Sequence, residues 1–148
     1  MRVVFADTGY WVALLNPHDD LHDKAQRISK VIHPAHIVTT EMVLTELLND
    51  FSDRGERFRK AAVDLIRKLY QHPNATIIPQ TSVQFQAALN LYEQRPDKEW
   101  SQTDCVSFQI MGEQLISEAL AYDKHFVQAG FTALLRHCQS RLGEALAP

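Results

Sequence analysis

Apolar residues in this chain fall into two patterns that take turns: short unbroken runs, and stripes spaced three or four apart. Arg2-Val3-Val4-Phe5-Ala6 is a run of the kind shown by a strand covered on both faces. Tyr10 to Leu15 reads as a short apolar helix or turn, stopped by Asn16-Pro17. Asp19 to Ile32 has helical spacing (Leu21, Ala25, Ile28, Val31, Ile32) and ends at His33-Pro34. Ile37-Val38-Thr39 predicts a second strand. Thr40 is placed to cap a helix over Glu41 to Phe51, whose stripe is Val43, Leu44, Leu47, Leu48 and Phe51. Gly55 breaks that pattern, Arg57 to Tyr70 forms a second amphipathic helix, and the β-branched segment Ala75 to Pro79 predicts a third strand.

Thr81 or Ser82 can cap the next helix, which runs to about Arg95, and Pro96 to Trp100 is a loop. Ser101 to Asp104 opens another helix, through about Ser117. Ala119 to Tyr122 predicts a fourth strand, a short helix runs to Gln128, and Phe131 to Leu135 suggests an edge strand. The tail, residues 139–148, shows little pattern and reads as helical or frayed. Strands alternating with helical patterns imply right-handed crossovers. The expected fold is a single α/β domain over residues 1–148, three-layered, with a mainly parallel four- to five-stranded sheet flanked by helices.

Composition narrows the class. Apolar residues at 45% and charged residues at 22% suit a soluble globular domain, and no window approaches 18 consecutive apolar residues. The N-terminus lacks a basic-then-apolar leader pattern, and Cys105 and Cys138 have no CxxC spacing. Both point to a reducing, cytoplasmic setting without a membrane. The formal net charge of −3 does not draw in nucleic acid, so such a partner needs a local cationic patch or bound metal.

The candidate chemistry lies in carboxylates at strand ends. Asp7 follows the first strand at once, and Asp123 follows the fourth. In an open α/β sheet, ligands bind outside the carboxyl ends of the strands, so two acids remote in sequence can meet there. Each acid also has a structural reading. Asp7 and Asp123 can cap the helices they precede, Ser101-x-x-Asp104 fits a capping box, and Glu46 fits a solvated helix flank. A receiver-like signalling domain wants adjacent acids after the first strand, and a haloacid-type phosphatase wants Asp-x-Asp there. Asp7-Thr8-Gly9 offers neither.

Taken together, Phe5-Ala6-Asp7-Thr8-Gly9, Thr39 to Leu48, Ser101 to Phe108 and Ala119 to Phe126 resemble, in order and spacing, the four signature blocks of the PIN-domain family. The resemblance implies a small toxin-type ribonuclease, related to virulence-associated protein C, that hydrolyses RNA phosphodiester bonds. It implies a catalytic set of Asp7, Glu46, Asp104 and Asp123. Asp7, Asp104 and Asp123 would be ligands of Mg2+ or Mn2+, and Thr8 and Ser101 would support them. It further implies an RNA substrate, an antitoxin protein partner and a homodimer. Hard cations prefer such carboxylate oxygens, and four clustered carboxylates without metal should raise at least one pKa. Ala121 departs from the family pattern, in which Ser or Thr often precedes the last acid by two residues. That departure keeps open a catalytically decayed module that binds RNA or protein.

Among the remaining features, His125 reads as mainly structural and Cys105 as a small core residue. Arg54, Arg57, Arg59, Lys60, Arg67 and Lys68 could contact phosphates from one helical hairpin. Tyr10, Trp11 and Trp100 flank the proposed site and could stack on bases or pack in the core.

Overall fold

A computed structural model describes residues 1–136. The expectation for the 139–148 tail, like Cys138, lies outside them. The elements are β1 (Arg2–Ala6), α1 (Thr8–Leu15), α2 (His22–Ile32), β2 (Ala35–Thr40), α3 (Glu41–Phe51), α4 (Glu56–Gln71), β3 (Ala75–Ile78), α5 (Ser82–Gln94), α6 (Gln102–Glu113), β4 (Glu118–Leu120), α7 (Lys124–Gln128) and β5 (Thr132–Ala133), with a 3-10 turn over Leu134–Arg136.

All strand pairs are parallel, in the order β3-β2-β1-β4-β5. The chain leaves β1 toward β2 and β3 on one side, then returns to lay β4 on the other. That reversal makes the carboxyl ends of β1 and β4 the topological switch point, where a crevice opens. Val4, Phe5, Ala6, Ala119 and Leu120 are fully buried, as the unbroken apolar run requires when helices cover both faces.

Helix starts follow the expected chemistry. Thr40 Oγ1 accepts from the Val43 N–H at 3.1 Å, and Thr81 Oγ1 accepts from Gln84 at the same distance. Helix α6 is buried almost all round, from Thr103 to Phe108 and again at Ile110 and Met111. A helix enclosed on every side draws any polar residue in its first turn toward the interior. Phe108 sets its ring edge-on to Trp100 and Phe126, both at 5.0 Å between centroids.

Several boundaries differ from expectation. Helix α6 stops at Glu113 and not near Ser117, because Leu115 takes a left-handed conformation (φ 57°) that no helix continues through. Helix α2 starts at His22, since Asp19 Oδ1 accepts from the Leu21 N–H at 2.9 Å and holds a turn there. Strand β4 ends at Leu120, so Ala121 and Tyr122 lead out of the sheet. The last strand has only two residues before the 3-10 turn.

At the amino ends of the strands, Arg2 clamps Glu118 with two hydrogen bonds of 2.8 and 3.1 Å. This forked pair ties β1 to β4 at the edge opposite the crevice. No helix among the described residues is long and apolar enough to cross a membrane.

Candidate active site

The backbone entering the crevice is held from three sides. The Asp7 N–H donates to the Leu120 carbonyl at 3.1 Å, Thr39 Oγ1 donates to the Ala6 carbonyl at 2.9 Å, and Trp11 Nε1 donates to Thr39 Oγ1 at 3.4 Å. Asp7 occupies the N-cap position of α1 in an extended conformation, yet its side chain makes no capping hydrogen bond. Its carboxylate is left to face the crevice.

Asp104 both completes a capping box and lines the cleft. The capping box is complete: Ser101 Oγ accepts from the Asp104 N–H, and Asp104 Oδ2 accepts from the Ser101 N–H, each at 3.0 Å. The same Oδ2 lies 2.9 Å from His125 Nδ1. Asp123 caps α7, Oδ1 accepting from the His125 N–H at 3.0 Å, and this oxygen is 3.3 Å from His125 Nδ1. His125 thus bridges the two aspartates through one ring nitrogen. Glu46 projects from α3 and is half-buried. Glu41, five residues earlier, faces elsewhere and accepts from the Gln80 N–H at 2.8 Å.

Asp7, Glu46, Asp104 and Asp123 therefore reach one cleft of about 610 Å³ from four separate segments, together with Thr8, Ser101 and His125. The hydroxyls predicted to support them are already engaged: Thr8 Oγ1 donates to the Val43 carbonyl at 3.5 Å, and Ser101 Oγ is spent on the cap.

The electrostatics follow from crowding and enclosure. The Asp7 carboxyl is pushed up to about 7. Burial is the main cause, the Thr8 backbone N–H acts against it, and the charges of Asp104, Glu46 and Asp123 push it further up. Like-charge repulsion was the expected cause, and burial outweighs it. Glu46 is also raised, first by burial; the Thr103 hydroxyl opposes the shift and the Asp104 charge adds to it.

Among the described residues, no group of three His, Cys, Asp or Glu side chains stands ready-made to hold a metal. The donors still fit a hard divalent cation. Magnesium is seldom caged by protein alone; it keeps several waters and takes one or two carboxylates plus substrate phosphate oxygens. A carboxylate whose pKa is raised by burial, and further by its neighbours' charges, is a group that a cation would let ionise.

His125, expected to be mainly structural, contacts both aspartates; the signal for that contact is its position two residues beyond a helix-capping acid. Thr103, adjacent to Asp104 in sequence, was missed and sits beside Glu46. Tyr10, Trp11 and Trp100 are buried to within 7% of full enclosure, so none is free to stack on bases. Cys105 is a core residue, its thiol pushed up to about 11 by burial and then by Asp104.

The fold is a parallel α/β sheet with four carboxylates gathered at its switch point. The PIN domain model matches residues 4–131, and the chain belongs to that family. The 23S rRNA-specific endonuclease VapC20 of Mycobacterium tuberculosis, from strains H37Rv and CDC 1551, is 31% identical over 135 residues. The match covers 87% of this chain and 95% of the relative. The crystal structure of M. tuberculosis VapC20, described as a sarcin-ricin loop cleaving toxin, superposes with a TM-score of 0.77 at 27% identity. It covers 87% of this chain and 96% of that one.

Proposed function

We propose that this chain is a metal-dependent endoribonuclease of the toxin type, hydrolysing RNA phosphodiester bonds with Mg2+ or Mn2+ and restrained by a protein antitoxin. The observation that carries the reading is the meeting of Asp7, Glu46, Asp104 and Asp123 in one cleft. Membership of the PIN domain family and the likeness to an rRNA endonuclease support it.

In this reading Asp7, Asp104 and Asp123 would hold the ion, with Glu46 beside them. When bound, a divalent ion supplies Lewis-acid polarisation of the phosphate and makes a neighbouring water more acidic. Asp7, whose carboxyl is pushed up to about 7, would serve as a ligand in its ionised form. The capping box and His125 fix Asp104 Oδ2, which holds the carboxylate of this cleft residue in one orientation. Glu46, its pKa raised by burial, is suited to take a proton at a carboxylate oxygen from the attacking water. Water adds to phosphorus as its proton passes to Glu46, the bond to one ribose oxygen breaks, and that oxygen takes up a proton from solvent.

The test is cleavage of a structured-RNA panel that includes 23S rRNA, by purified protein with manganese, magnesium or EDTA, beside Asp104→Asn. Cutting that needs metal and vanishes in the variant is the expected result. Neither cutting nor a thermal response to metal, with antitoxin excluded, would replace the nuclease with a binding module.

A further inference from the structure

An RNA strand entering this cleft meets four carboxylates on a chain of net charge −3. A polyanion is held only where local cations neutralise its phosphates. The α3–α4 hairpin carries cations that could serve, but a run of charge is more often a solvated face. Only Arg54 of the set approaches, lining the adjoining groove with Thr8 and Glu46. Arg54 is committed to Asp50 at 3.0 Å and to the Phe51 ring, and Arg59 donates to the Ser52 carbonyl at 2.8 Å. Arg57, Lys60, Arg67 and Lys68 are exposed but none lines the cleft.

The Lys and Arg side chains that do line it are Lys124 and Arg136, both exposed. Neither pairs with a carboxylate among the described residues. Arg136 is nonetheless held in place: Nη1 donates to the Tyr122 carbonyl at 2.7 Å, and its guanidinium lies 5.0 Å from the centroid of the Tyr122 ring. Tyr122 is 50% exposed, lines the cleft and immediately precedes Asp123. It is an accessible aromatic ring at a place where Tyr10, Trp11 and Trp100 are buried.

Building on the ribonuclease reading, we propose that Tyr122, Lys124 and Arg136 form the nucleotide-gripping lip of the cleft. Lys124 and Arg136 take phosphates next to the one being cut, and Tyr122 stacks a base. The preset Arg136–Tyr122 contact lowers the ordering cost of that grip. Tyr122 and Lys124 flank Asp123 in the chain, which puts the lip directly beside one of the acids.

The experiment uses the cleavage-dead Asp104→Asn protein and a fluorescein-labelled hairpin RNA of mixed sequence, read by anisotropy across a salt series. Lys124→Gln/Arg136→Gln should weaken binding about tenfold or more and reduce the slope of log affinity against log salt by about 1 to 2. Tyr122→Leu should weaken it about tenfold with the slope unchanged. Arg57→Gln/Lys60→Gln/Arg67→Gln should leave both unchanged. In the active protein the lip variants should raise KM and keep kcat within about twofold.

Lys124 is exposed and outside any ion pair among the described residues, so Lys124→Gln alone reports if the double variant unfolds. Unchanged binding and KM in folded lip variants, or a loss carried by the hairpin variant, would overturn the proposal. A parent protein that neither binds nor cuts RNA would instead bring down the ribonuclease reading beneath it.

Discussion

The two ends of the β1–β4 pair carry the same residue types to opposite effect. At the amino end Glu118 meets Arg2 in a forked contact of 2.8 and 3.1 Å, its charge cancelled within the fold. At the carboxyl end Asp7, Glu46, Asp104 and Asp123 share a cleft with no Lys or Arg within ion-pair distance of them among the described residues; His125 alone bridges two of them. Buried charges are normally paired, since leaving one alone costs several kcal/mol. The Arg2–Glu118 end is what an acid looks like when it serves stability. The other end is an unbalanced charge that folding tolerates and a bound cation would relieve.

Neutralising one acid at each end should separate these roles by the widest margin. Asp7→Asn is expected to reduce cleavage by about 10²–10³-fold or more, the scale of losing one preorganised charge-stabilising group. Glu118→Gln should leave kcat unchanged and lower stability by about 1–2 kcal/mol, or roughly 2–8 °C in Tm. Stability should move the other way for Asp7. Its carboxyl titrates at about 7 in the fold and near 3.9 when unfolded, so between those values the folded state binds the extra proton. Its contribution is therefore fully present below pH 4 and lost as pH rises through 7. In EDTA, Asp7→Asn should melt higher than the parent at pH 8, with the advantage vanishing near pH 4. Melting curves at several pH values check this, and a parent curve with no such fall would mean that Asp7 is not held neutral.

The fold was largely legible because its signals are local. Each strand run, each cap at Thr40, Thr81 and Ser101, and the parallel topology follow from spacing and hydrogen-bonding chemistry within a few residues. The errors fell where one residue's backbone overrides the pattern, as Leu115 does in ending α6. The acidic positions were readable only jointly. Singly, Asp104 and Asp123 are caps, and the structure shows that they are caps as well as cleft residues. What the sequence could not show was reach across the fold. His125 folds back onto an aspartate 21 positions away, and Arg136 closes over Tyr122 from beyond β5.

His125 sharpens the comparison, since its ring nitrogen contacts both Asp104 and Asp123. If it orients Asp104, His125→Ala should weaken metal affinity and cleavage by about 10–100-fold, as loss of a group holding a ligand does. His125→Asn retains an N–H near the Nδ1 position and should recover much of that loss. Isothermal titration with manganese, beside cleavage rates, distinguishes orientation from a packing defect. A packing defect would lower Tm in both variants without rescue of metal binding by Asn.

The smallest expected effect lies within a single helix. Glu41 and Glu46 both belong to α3, but five residues turn them by 500°, which places them about 140° apart around the axis. Glu46 faces the cleft, where burial raises its pKa; Glu41 accepts a hydrogen bond from the Gln80 N–H at the exposed start of α5. Glu46→Gln should cost cleavage tenfold or more, on the scale of a displaced proton acceptor. Glu41→Gln keeps an amide oxygen for Gln80 and should change kcat/KM by less than about twofold and Tm by only a degree or two. Parallel kinetics on the two variants measure whether the cleft depends on where a carboxylate points or only on how much negative charge α3 carries. Equal losses would favour net charge and remove Glu46 from the site; a silent Glu41→Gln beside a crippled Glu46→Gln ties the chemistry to direction.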